Sequence, residues 1–104
     1  MDEGTSILFE VPTPLGFTVR TSQRYWQGIV AKHPDLTDRL EEVKQALISP
    51  MEVHRSSRDA GVLLFYAENE HWVVAVVRRL NGDGFLVTAY RTDSIKEGEI
   101  IWPK

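Results

Sequence analysis

The sequence predicts an α+β fold in which two N-terminal helices pack on an antiparallel sheet of about four strands. Three features predict it: a helix-period apolar stripe from Tyr25 to His33, a second from Leu36 to Leu47, and a change to strand-like runs after Val53, punctuated by tight-turn signals. Helices followed by neighbouring strands define this class, with the helices stacked on one sheet face.

Each element has its own warrant. Ile7–Val11 reads as a short strand ended by Pro12 and Pro14, which lack ladder donors. Phe17–Arg20, after Gly16, reads as a second. Thr21 and Ser22 are good N-caps for a helix over about 22–33, whose Tyr25, Trp26, Ile29, Val30 and His33 share one face. Pro34 closes it, because the residue before proline is pushed out of the α region. Asp35 or Thr37 then caps a second helix with the stripe Leu36, Leu40, Val43 and Leu47 and a charged opposite face. Ser49-Pro50 stops it.

The strands follow. Val62–Ala67, His71–Arg79 and Phe85–Arg91 are joined by the polar turn Glu68-Asn69-Glu70 and by Asn81-Gly82-Asp83-Gly84, where asparagine and glycine accept positive φ. Ile100–Trp102 adds a short edge piece. Strand alternation groups Leu63 with Phe65 against Val62, Leu64 and Tyr66. In the last strand it groups Phe85, Val87 and Ala89 against Leu86, Thr88 and Tyr90. Tyr66, Thr88 and Tyr90 mark the more polar side of each strand; whether those sides coincide stays open.

Composition bounds the rest. The 104 residues, 42% hydrophobic, fit one domain over 1–104. With no cysteine, disulfides, thiolate metal sites and cysteine nucleophiles are excluded, and a reducing cytoplasm is compatible and expected. The acidic N-terminus lacks the form of a secretory signal. Trp72–Val77, the longest apolar run, is far short of the roughly 20 residues that span a bilayer, so no membrane is expected. A net charge of −3 counts against a whole-surface nucleic-acid binder but leaves room for a basic groove on an acidic body.

The chemistry-bearing candidates are His33, the segment His54-Arg55-Ser56-Ser57-Arg58-Asp59, Tyr66, and Thr88-Ala89-Tyr90-Arg91-Thr92. No phosphate loop, HExxH helix or GxSxG elbow is present, and three histidines without matching acidic ligands form no metal pattern. No cofactor and no metal are therefore expected. His33 reads either as a helix-terminal cation facing the C-terminal dipole or as a proton carrier. Arg55 and Arg58 read as solvated charges or as a phosphate clamp. Ser56 and Ser57 read as turn residues. Tyr66 and Tyr90 read as packing residues with a wet hydroxyl or as site residues.

Three segments together, GFTVRTSQRYWQGIVAKHPDL, VKQALISPMEVHRSSRDAGVLLFY and GFLVTAYRTDSIKEGEIIW, resemble the phage-associated branch of the barnase/EndoU/colicin/RelE-like nuclease superfamily, over roughly residues 9–102. The resemblance implies a RelE/barnase-like domain that cuts RNA without a metal. The ribose 2′-OH attacks the adjacent phosphate, giving a 2′,3′-cyclic phosphate and a free 5′-OH. Position by position, His33 falls on the histidine of the HP motif, Arg55 and Ser56 on the Arg-Ser pair, Tyr66 on the FY tyrosine, and Thr88, Tyr90 and Thr92 on TAYxT. The resemblance thus implies proton transfer by His33, phosphate binding by Arg55, hydrogen bonds from Ser56, Thr88 and Thr92, and a stacking or donating Tyr66 or Tyr90. Ala67 departs from relatives that often carry a basic residue there, and Ala60 from a frequent proline. Two other expectations accompany this one: a non-catalytic RNA- or protein-binding module on the same fold, and a toxin restrained by an antitoxin or immunity protein.

Overall fold

Seven strands form one mixed sheet, in the order β1-β2-β6-β5-β4-β3-β7. The strands are β1 (Ile7–Pro12), β2 (Thr18–Ser22), β3 (Glu52–Arg55), β4 (Val62–Asn69), β5 (His71–Leu80), β6 (Asp83–Thr92) and β7 (Glu99–Trp102). Helices α1 (Gln23–Lys32) and α2 (Leu40–Ile48) lie between β2 and β3. This is a computed structural model, and it describes residues 6–95 and 98–103.

The expected α+β sheet of about four antiparallel strands is corrected on two counts. Glu52–Arg55 is a further strand, set between β4 and β7. The hairpin β1–β2 joins the same sheet, because Val19 and Arg20 pair in parallel with Gly84 and Phe85. That parallel contact makes the sheet mixed. Four residues are too short to show a period, and a pairing across some sixty residues leaves no local trace, so neither feature is visible in the sequence pattern.

The helices start and stop for local reasons. Ser22 Oγ accepts a hydrogen bond from Tyr25 N–H at 3.0 Å, capping α1. Pro34 opens a single 3₁₀ turn, Pro34–Leu36, that buries Leu36 completely. The second helix therefore begins at Leu40 and not at Leu36. Neither Asp35 nor Thr37 caps it; Arg39 occupies the cap position, and Thr37 Oγ1 donates instead to Pro34 O.

Both helices contribute to one core. Trp26, Ile29, Leu36, Val43, Ala46 and Leu47 pack with Leu63, Phe65, Val73, Ala75, Val77, Leu86 and Ala89 of the meander. The opposite face carries a smaller cluster of Leu64, Tyr66 and Val74, flanked by Trp72, Val76, Tyr90 and Ile95. The polar sides of the strands do coincide: Tyr66 pairs with Val74 and Val74 with Tyr90, while Val76 joins Leu64 to Thr88. Leu86 breaks the expected alternation. Val77 opposes Leu86 and Val76 opposes Thr88, so Val87 is an extra, bulged residue. The bulge turns Leu86 into the helix-side core and leaves Thr88 and Tyr90 on the other face.

Two glycines matter to this framework. Gly82, at φ +85 after Asn81 at φ +53, makes the β5–β6 turn. A Cβ on Gly84 would lie 2.8 Å from Phe17 and 3.0 Å from Val19 and Val77, so the parallel contact closes only around a residue without a side chain.

Candidate functional site

A trough runs between α1 and β6, in two chambers that share Tyr25 and Val87 as walls. Geometry at the end of β2 creates it. Strand β2 pairs with β6 only at Gly84 and Phe85, then leaves the sheet at Ser22 to become α1. The rest of β6 therefore faces a helix instead of a neighbouring strand, and the bulge at Val87 sits midway along the gap.

The first chamber, about 620 Å³, is lined by Arg24, Tyr25, Gly28, Ile29, Lys32, His33, Val87 and Thr88. Arg24, Gly28 and Lys32 recur every fourth residue, so they form one ridge of α1. Gly28 keeps the space open, since a Cβ there would meet nothing within 4 Å. His33 ends the helix, its N–H bonded to Ile29 O, with its ring 6.3 Å from that of Tyr90. Lys32 has no carboxylate partner among the described residues.

The second chamber, about 490 Å³, adds Ile7, Arg20, Thr21, Ser22, Arg78, Leu80, Phe85 and Leu86. Its cations are compensated from behind. Arg20 reaches Asp83 at 3.3 Å and Glu10 at 3.9 Å, with its guanidinium 4.5 Å from the centre of the Phe85 ring. Arg78 pairs with Asp59. The hydrogen bond from Gly61 N–H and the Arg78 guanidinium hold the Asp59 carboxyl below its ordinary value. The buried Thr21 Oγ1 has no hydrogen-bond partner among the described residues.

Charge sets this trough apart. Its described lining includes Arg20, Arg24, Lys32, Arg78 and His33 and no acidic residue, in a chain of net charge −3. Between α2 and strands β4 and β5, on the helix-side face, a smaller hollow is lined by Glu41, Glu42 and Glu68, with no basic residue in its described lining.

Of the seven residues to which the resemblance assigns roles, the structure brings His33, Thr88 and Tyr90 together here. The other four lie elsewhere. Arg55 pairs across from Leu63, whose side chain belongs to the helix-side core, so it points to the opposite face from Tyr66 and Tyr90. Strands β4 and β5 separate β3 from β6, a distance of about 14 Å at the usual strand spacing. Arg55 is instead bound to Glu99 at 3.2 Å. Ser56 turns the β3–β4 connection, its Oγ accepting from Arg58 N–H.

Tyr66 is only 1% exposed and lies among Trp72, Val74 and the ring of His54, 4.8 Å away. His54 is itself buried and held by Glu52 at 2.8 Å. Thr92 closes a local turn with Ser94, four residues or about 13 Å along β6 from Thr88. Ala67 faces the acidic hollow, well away from the trough, so the missing basic residue there does not touch it.

Sequence reading overlooked Arg24, Tyr25 and Lys32 as site residues. Their signal was present, since Arg24-Gly28-Lys32 and Tyr25-Ile29-His33 are parallel four-residue rows. Among the described residues no group of three or more histidines, aspartates or glutamates could hold a metal ion, and no helix is long and apolar enough to cross a membrane. Comparison with protein-family models, curated proteins and solved structures found no match.

Proposed function

We propose that this chain binds single-stranded RNA in the α1–β6 trough and cuts it without a metal, by attack of the 2′-OH on the neighbouring phosphate. One observation carries the reading: in a protein of net charge −3, Lys32, one of the three histidines (His33) and Thr88 line one open chamber with no described carboxylate in its lining. A polyanion is drawn to such a place and repelled by the rest of the surface.

The roles follow from position. His33, in the lining of the first chamber, takes the proton from the attacking 2′-OH and returns it to the departing 5′-oxygen, as an imidazole can near neutral pH. Lys32 and Arg24 replace Arg55 as the cations beside the phosphate. Thr88 donates a hydrogen bond as charge grows on the phosphorane oxygens. Tyr90 packs near the imidazole and limits its rotation. The resemblance of the HP and TAYxT segments to the nuclease superfamily supports the same assignment for His33, Thr88 and Tyr90.

A second reading, binding without turnover, is favoured by one observation. Transesterification by the 2′-OH needs a base for that hydroxyl and an acid for the departing 5′-oxygen, and the trough lining holds one imidazole and no carboxylic acid among the described residues. One assay separates the two. Incubated with single-stranded RNA in chelator, the protein should release fragments ending in 2′,3′-cyclic phosphate, and His33→Ala should release none. Intact RNA with a measurable dissociation constant selects the binding module; intact RNA with no binding ends both.

A further inference from the structure

The two chambers differ in how their cations are held. In the second, Arg20 is neutralised by Asp83 and Glu10 and Arg78 by Asp59, while the walls are Ile7, Leu80 and Phe85. Ile7 and Leu80 are 62% and 50% exposed, an unusual openness for large apolar side chains grouped around one cavity. In the first, Lys32 has no described acidic partner. A compensated, apolar chamber with flat groups suits an uncharged planar ligand. The open side of Lys32 suits an anion.

Building on the RNA reading above, we propose that the second chamber is a nucleobase subsite: it receives an unpaired base while the adjoining phosphate rests beside Lys32 and His33. Continuity supports this, because Tyr25 and Val87 line both chambers and a base and its phosphate are covalent neighbours. Flat surfaces support it too. Bases splayed from single strands stack on aromatic rings and on guanidinium planes. Tyr25 supplies a ring that is 52% exposed, and Arg20 a guanidinium fixed over Phe85. The volume, about 490 Å³, falls in the range of small-ligand sites. A base held in a duplex cannot enter, so the substrate class is single-stranded RNA with at least one base turned out of its stack.

The test compares short 2′-O-methyl oligoribonucleotides, which cannot be cleaved, with the same chains carrying stable abasic residues. Both present the same phosphates. Fluorescence anisotropy should find the base-bearing chain bound about tenfold more tightly, the order expected from stacking one base. Tyr25→Ala should remove most of that gap, weakening the base-bearing chain far more than the abasic one, and Tyr25→Phe should keep the gap. Tyr25 is half exposed on a helix surface, so neither substitution threatens the fold. Equal affinity for the two chains, or a gap that survives Tyr25→Ala, overturns the base subsite and leaves RNA binding standing. Absence of binding to either chain overturns the RNA reading and the subsite with it.

Discussion

The two flanks of this sheet carry similar residue types and put them to different uses. On the β3–β7 flank, Arg55 is bound to Glu99, Ser56 closes a turn onto Arg58, and His54 is buried against Glu52 and Tyr66. Each of these groups has a structural partner. On the α1–β6 flank, Lys32, His33 and Thr88 line open space, and no described carboxylate joins them in that lining. A cation or imidazole satisfied by the fold has little left to offer a ligand. The difference teaches that residue type identifies candidates, while the partners supplied by neighbouring strands decide which remain available.

The widest separation between the flanks should appear in cleavage. His33→Ala should lower the rate of RNA cutting by about 10² to 10⁴-fold, the usual contribution of a positioned proton carrier, while Arg55→Ala should change it by less than about threefold. Rates from gel assays in chelator check both. Loss of activity in Arg55→Ala alone would move the site to the other flank.

Next in size is the junction that creates the trough. Gly84→Ala forces a methyl against Phe17, Val19 and Val77, so urea unfolding should show a loss of about 1–3 kcal/mol. Gly28→Ala is its opposite. Its methyl meets nothing and removes the flexibility of a helix glycine, so stability should rise by about 0.4–1 kcal/mol. Gly28→Trp should fold equally well but fill the first chamber and abolish RNA binding.

The smallest expected effect is a pH dependence. Asp59 has a folded pKa below its ordinary value of 3.8, so its anion is favoured in the native state. That contribution is fully present above 3.8 and disappears as pH falls through the lower, folded value. Asp59→Ala should therefore melt slightly below the parent protein at neutral pH, with the difference vanishing in strong acid.

Much of this was legible in the sequence, for identifiable reasons. Ser22, the Tyr25–His33 stripe and Pro34 mark α1 because capping and helix periodicity are local. Asn81-Gly82 marks the β5–β6 hairpin because positive φ is a property of those residues. Leu36 misled, since its spacing continues the α2 stripe although it is buried from a 3₁₀ turn. Strand β3 and the parallel contact of Val19 and Arg20 with Gly84 and Phe85 depend on distant partners. So does the side on which Arg55 points, which the register of Val53 with Phe65 decides. The bulge at Val87, which reversed the expected side of Leu86, arises from pairing with β5. His33 and Thr88 could be named from sequence. That they meet beside Lys32, and that Arg55 does not, is a fact of topology.

The central claim is one of location, and backbone amide chemical shifts test it most directly. Titrating the isotope-labelled protein with a non-cleavable single-stranded oligoribonucleotide should move the resonances of residues 24–33 and 84–90. The amides of 54–58 and 98–100 should stay where they are. Perturbations centred on Arg55, Ser56 and β7, with the α1 amides unmoved, would contradict the account.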